Sequence, residues 1–246
     1  AGVAMADPAY RLLDAGERAL VVEFGSTVDP AINGQVLALD AAFVAVDIAG
    51  VRETVPTYRS LMIHYDPLII SREALVARIA DFEAAHPTAP KPQARWTFPC
   101  CYDPAIGEDI AELAALVKLD VAEVARIHAS GAYRAYMYGF APGYCYLGGL
   151  PPALAVSRRA TVRPPTPENV VLVGGGLSLV ATFSMPTGWY VTGRTPERMF
   201  APHREKPFLV DVGDELRFEA IDAQTFAALE ERAKAGEPIA RREALA

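Results

Sequence analysis

A proline-rich heptapeptide, HPTAPKP at residues 86–92, divides this chain into two stretches of different texture. Proline lacks a backbone N–H and fixes φ, so neither a helix interior nor a central strand can run through such a segment. It reads as a linker, and the chain must build a core on each side of it. The sequence therefore predicts two domains, one over residues 5–90 with Met5 as its start, the other over 91–246.

Upstream of the linker, strand-like and helix-like patterns alternate. ALVVEFG (19–25) reads as a strand, and Asp29-Pro30 opens a helix through Val44. Strands are expected at 51–56 and 60–66, where β-branched and aromatic residues concentrate. Ser71 is a natural N-cap for REALVARIADFEAA, whose Leu75, Ile79 and Phe82 share one face. ARWTF (94–98) can return as a last strand. The order βαββαβ is that of a ferredoxin-like unit. Downstream, two short helices are expected at 107–119 and 120–130, the second opened by Asp120 with Glu123 three residues on. From Gly131 to Glu219 the texture changes to glycine, proline, aromatics and many short strands, which indicates a β-barrel or sandwich. A final amphipathic helix carries Phe226, Leu229 and Ala233 on one face. The fold class is thus α+β.

Composition excludes several function classes. The chain is 52% hydrophobic with a formal net charge of −7, too apolar for disorder and too acidic for a general nucleic-acid binder. It contains no apolar run of 18 residues. Cys100, Cys101 and Cys145 cannot all pair, and two of them are adjacent, which favours a reducing, cytoplasmic setting. No Cys/His cluster has zinc-ligand spacing, so no metal is expected.

Two segments could carry chemistry. YRAYMYGFAPGYCYLGGLPP (133–152) crowds aromatics among turn-forming glycines and prolines, and loops of this kind either line small-molecule pockets or form a tyrosine-rich barrel seam. RPPTPENVVLVGGGLSLVATFSMPTGWYVTGRTP (163–196) joins two strand-like runs through three glycines. That triplet is no Walker A loop, nor a dinucleotide fingerprint, because no helix follows. Arg194 could grip a carboxylate or phosphate, or serve an ordinary ion pair. His128, near a helix C-terminus where the dipole favours an imidazolium, could transfer protons or be structural.

Across nearly its full length the chain resembles the B-subunit family of bacterial 5-oxoprolinase, also known as allophanate hydrolase subunit 1 and as the sporulation-kinase inhibitor family. The resemblance rests on AGERALVVEFG, AGVRETVPTYRSLMIHYDPL, RIHASGAYRAYMYGFAPGYCYLGGLP and GWYVTGRTP. It implies a ferredoxin-like N-terminal domain, a cyclophilin-like β-barrel C-terminal domain, and a homologous partner, the C subunit, joined in one branch by a third, the A subunit. That branch opens 5-oxoproline with ATP, bound by the complex at a site the sequence does not place. A related pair of domains forms the carboxyltransferase part of a biotin-dependent urea carboxylase. Another member inhibits a histidine kinase without catalysis.

Under this resemblance, the expected function is the B subunit of an ATP-dependent cyclic-amide hydrolase, inactive or weakly active alone. Arg163 and Arg194 are expected to bind anionic groups, Tyr144, Tyr146 and Trp189 to form walls, and His128 to move a proton. Phe140, Pro142, Gly143, Gly175, Gly176 and Thr195 are expected to border the substrate. The carboxyltransferase alternative would need a biotin carrier on another chain, since no A-M-K-M tetrapeptide occurs here. The chain departs from the family pattern at Glu168-Asn169-Val170, Leu177, Met185 and Thr187. Leucine at 177 and methionine at 185 remove polar groups the family usually has there.

Overall fold

The computed structural model describes residues 10–245, so Met5 lies outside the described residues. These fall into two compact units, divided between Lys91 and Pro92.

The first unit is a four-stranded antiparallel sheet with two helices. Its strands are β1 (Arg11–Asp14), β2 (Ala19–Glu23), β3 (Val51–Pro56) and β4 (Ser60–Tyr65), in the spatial order β1-β2-β4-β3. Helix α1 (Pro30–Ala45) begins where Asp29 accepts hydrogen bonds from Ala31 N at 2.7 Å and Ile32 N at 3.2 Å. Helix α2 (Arg72–Ala84) begins where Ser71 Oγ accepts from Ala74 N. Leu20, Val22, Leu61, Ile63, Leu75 and Ile79 supply the core, alternating along the strands and recurring every four residues on the helix. The ferredoxin-like expectation is corrected in one strand. ARWTF does not return to this sheet, and the edge position beside β2 is filled by β1, from ahead of the unit rather than behind it. A strand-like pattern reports burial and backbone shape but not which sheet receives it.

The second unit is built on strands β5 (Ala94–Cys101), β6 (Tyr133–Tyr138), β7 (Cys145–Gly148), β8 (Val170–Gly174), β9 (Leu177–Ala181), β10 (Tyr190–Arg194), β11 (Glu215–Ile221) and β12 (Arg241–Ala244). Seven of them close a barrel in the order β10-β8-β9-β7-β6-β11-β5, the seam made by the pairing of Arg194 with Cys101. β12 lies outside the ring, along the N-terminal half of β5. Alternate residues point inward and fill the barrel: Phe98, Cys100, Ala135, Cys145, Leu147, Val171, Val173, Val180, Leu216 and Phe218. Cys100, Cys101 and Cys145 are buried and free. Helices α3 (Ile110–Val117), α4 (Val121–Ala129) and α5 (Ala223–Lys234) complete the unit. As the sequence predicts, Asp120 caps α4 through Glu123 N at 2.7 Å, but Glu123 turns to Arg126 instead of completing the capping box. Among the described residues no helix is long and apolar enough to cross a membrane.

Candidate functional site

The outward-facing residues of β7, β9 and β8 form the floor of a cleft of about 290 Å³. Because side chains alternate, Tyr146, Leu172, Leu179 and Ala181 face this cleft while their neighbours fill the barrel. Its walls are irregular. One is a strap over residues 156–168, contributing Arg158, Arg159, Val162 and Thr166; another is residues 185–189; a third is the turn bearing Phe140 and Tyr144. Strap and neighbouring segment are stitched by backbone hydrogen bonds from Arg159 N to Gly188 O (2.7 Å), Arg163 N to Thr187 O (2.9 Å) and Thr166 N to Met185 O (3.1 Å).

Four aromatic rings, Phe140, Tyr144, Tyr146 and Trp189, and the guanidinium of Arg158 define the cleft chemically. Trp189, only 6% exposed, meets the edge of Tyr146 with centroids 6.0 Å apart. The Arg158 guanidinium lies over the indole, 5.4 Å from its centre. Arg158 is exposed and has no ion-pair partner among the described residues. Burial pushes the Tyr146 phenol above its ordinary pKa, and nearby Arg158 opposes that shift. The phenol is therefore a neutral donor across the physiological range. Tyr144 is likewise raised by burial, and its hydroxyl already donates to Phe183 O at 3.1 Å. An apolar floor, aromatic walls and one cation without a carboxylate partner suit a small, flat, anionic molecule.

The structure brings Phe140, Tyr144, Tyr146 and Trp189 together around this cleft. Pro142 and Gly143 shape the rim: Pro142 O accepts from Thr182 Oγ1 at 2.6 Å, and Gly143 has φ +78°. A Cβ at Gly143 would fall 2.3 Å from Phe200 Cβ, so both backbone and space require glycine there. Gly143→Ala is expected to lower stability by about 2–3 kcal/mol, read from urea unfolding; a loss within about 0.5 kcal/mol would show that the turn can relax. Gly175 and Gly176, with φ +59° and +78°, are the two corner residues of the β8–β9 hairpin, the geometry of a type I′ turn. Gly175 N–H donates to Val156 O at 2.8 Å, so it positions the start of the strap rather than a phosphate.

Four expected site residues stand elsewhere. His128 is 0% exposed in the core, with Nδ1 2.8 Å from Tyr102 Oη and Nε2 3.2 Å from Ser178 Oγ. Ser178 gives its own proton to Leu172 O at 3.1 Å, so His128 carries its proton on Nε2 and accepts from Tyr102. Burial drives its pKa down to about 3, outweighing the helix-end effect that favours an imidazolium. A neutral ring sealed from the cleft is a core residue, not a proton carrier for a bound molecule. Arg163 is engaged by Asp109 at 2.5 Å and by Glu108. Arg194 is held by Glu230 on α5 at 2.9 Å, by Glu168 O, and over the Phe226 ring. Thr195 is buried in a turn where its hydroxyl accepts from Glu197 N. Both arginines are fasteners of the fold. The cation that does face the cleft, Arg158, belongs to no motif in the sequence; its signal is the Arg158-Arg159 pair ahead of a proline-rich stretch. Of the departures from the family pattern, Met185 and Thr187 line the cleft and Leu177 does not.

A larger cleft, about 600 Å³, lies between residues 197–204 and the end of α5. It holds none of the expected site residues. The carboxylate of its buried Glu197 is satisfied by Arg198 N, Ile239 N and Ala240 N. The smaller cleft, with its open guanidinium, is the better candidate.

The family model for the carboxyltransferase domain, subdomain C and D, matches residues 10–210. The chain belongs to this family. Among curated relatives, it is 30% identical over 233 residues to the 5-oxoprolinase B subunit of Bacillus subtilis, covering 90% of this chain and 97% of that one. Among solved structures, this member of the carboxyltransferase family matches TTHA0988 at 32% identity and a TM-score of 0.74, covering 84% of this chain and 40% of that longer one. The urea carboxylase of Kluyveromyces lactis superposes with a TM-score of 0.79 at 18% identity, covering 96% of this chain and 24% of that enzyme. That last likeness is one of fold.

Proposed function

We propose that this chain is the B subunit of a multi-subunit, ATP-dependent hydrolase of a cyclic amide, with 5-oxoproline as the default substrate. The observation that carries the reading is the cleft with Arg158 over Trp189, in a chain that aligns with nearly the whole of a 5-oxoprolinase B subunit. A five-membered lactam would lie against Trp189 and Tyr146, its carboxylate paired with Arg158. The neutral Tyr146 hydroxyl would then donate to the amide oxygen, where charge builds as the bond is activated. Phe140, 75% exposed at the rim, would cover the ring.

ATP would supply the activation that an unstrained amide lacks. The glycine triplet is no phosphate cradle: it is a hairpin corner with Gly175 N–H already engaged. ATP turnover would fall to the complex assembled from this chain, its homologous C-type partner and an A-type component.

The test is 5-oxoproline-dependent ATP hydrolysis by the chain purified with its C-type partner, with and without the A-type component. Arg158→Ala is expected to raise KM about 10- to 100-fold, the loss of one charge-assisted pair. Absence of any lactam-dependent turnover in the full assembly would sink the reading. The family's carboxyltransferase character supports one alternative, a carboxyl-transferring half-site; carboxylation that appears only on adding a biotinylated carrier would select it instead.

A further inference from the structure

The strap that carries Arg158 has no regular secondary structure, yet it must hold one guanidinium over one indole. Its fastening converges on a residue outside the cleft. Asp109 is the N-cap of α3, but its carboxylate makes no capping hydrogen bond to that helix, the usual task of aspartate at this position. Instead Oδ1 pairs with Arg159 at 3.0 Å, and Oδ2 accepts from Arg163 at 2.5 Å and from Val191 N at 2.8 Å. Asp109 N in turn donates to Val191 O at 2.9 Å. One residue is thus registered, through backbone and side chain together, to the strand that follows Trp189. The same carboxylate holds both Arg159 and Arg163, the other arginines of the strap. Glu108 and Glu112 add a second carboxylate to each of those arginines.

We propose that Asp109 is a positioning residue for the cleft: it sets the strap against β10 so that Arg158 stacks on Trp189. The two halves of that pair come from segments about 30 residues apart in the chain, and Asp109 is bonded to both. Asparagine at 109 would keep an acceptor for Val191 N but lose the charge that holds two guanidinium groups. The strap would then retain its backbone stitches to 185–188 but not its register on α3. The consequence for catalysis rests on the proposed function; the geometric claim does not.

The experiment is acrylamide quenching of Trp189 fluorescence, taken as the difference between each protein and its Trp189→Phe counterpart, on the full chain without ligand. Asp109→Asn is expected to raise the Trp189 quenching constant about twofold or more, as local opening exposes the indole. Arg163→Gln should raise it in the same direction, and Arg163→Lys should restore part of the effect. Glu197→Gln, which loosens the unit on another side, controls for general loss of stability and should leave Trp189 quenching unchanged. Unchanged quenching in both Asp109→Asn and Arg163→Gln would overturn the proposal, as would an equal rise in Glu197→Gln. In the assembled complex, Asp109→Asn should raise the KM for the lactam more than it lowers kcat. If quenching responds but the wild-type complex shows no lactam-dependent turnover, the functional reading fails and the positioning role stands. If turnover is present and quenching does not respond, the reverse holds.

Discussion

Asp214→Ala is expected to remove about 3–5 kcal/mol of stability, the largest single loss anticipated in this chain. Asp214 is buried, and its carboxylate accepts four hydrogen bonds. Oδ1 receives Gln93 N at 3.2 Å and Ala94 N at 3.0 Å; Oδ2 receives Trp96 Nε1 at 3.0 Å and Asp211 N at 3.3 Å. Its carbonyl also accepts from Ala135 N at 3.0 Å, so one residue joins the beginnings of β5, β6 and β11. Alanine would strand several donors away from water, each costing about 1–3 kcal/mol unless solvent enters. Urea unfolding followed by Trp96 fluorescence measures the loss directly. A change below about 1 kcal/mol would mean that water replaces the carboxylate.

The second large effect is a loss of stability in acid that depends on His128. Its ring binds a proton readily in the unfolded chain, near the ordinary pKa of 6.5, but in the folded barrel only near pH 3. The unfolded state therefore holds the extra proton between those values, and folding stability falls as pH drops through that window. Above pH 6.5 the term is absent, and below about 3 it no longer grows. The slope approaches about 1.4 kcal/mol per pH unit, so roughly 2 kcal/mol should vanish between pH 7 and pH 5. Urea midpoints at several pH values would show it, and His128→Gln should flatten the difference. An equally steep decline in His128→Gln would assign the acid sensitivity to other groups.

How much of the molecule is legible in the sequence depends on whether the deciding partner is local. The caps at Asp29, Ser71 and Asp120 act within three residues of themselves, and each forms as the sequence predicts. The cleft aromatics are legible because Phe140, Tyr144 and Trp189 sit beside turn residues, which break the strands and leave room for a cleft between them. Arg163, Arg194 and His128 stand outside the cleft for the opposite reason. An arginine's role is set by the carboxylate it meets, and Asp109 lies 54 residues from Arg163 while Glu230 lies 36 from Arg194. Nothing near His128 in sequence reveals that Tyr102 and Ser178 close around it. ARWTF is a strand, as its residues predict, but it joins the barrel and not the first sheet. Its pairing is decided by β11 and β12, more than a hundred residues later.

That pairing has a consequence for how the chain is made. β5 lies between β11, which runs parallel to it, and β12 near the C-terminal end. During synthesis all of the first barrel strand but its end at Cys101, which meets β10 sooner, must therefore wait for about 120 further residues, roughly 6 to 24 s at usual elongation rates. The four-stranded unit has all its strands in hand long before and can condense early. Throughout the interval Trp96, Phe98 and Cys100 have no partner strand, an adhesive edge of the kind that recruits chaperones or neighbouring nascent chains. Slow codons over this interval should thus lower the soluble yield of the chain more than slow codons ahead of it.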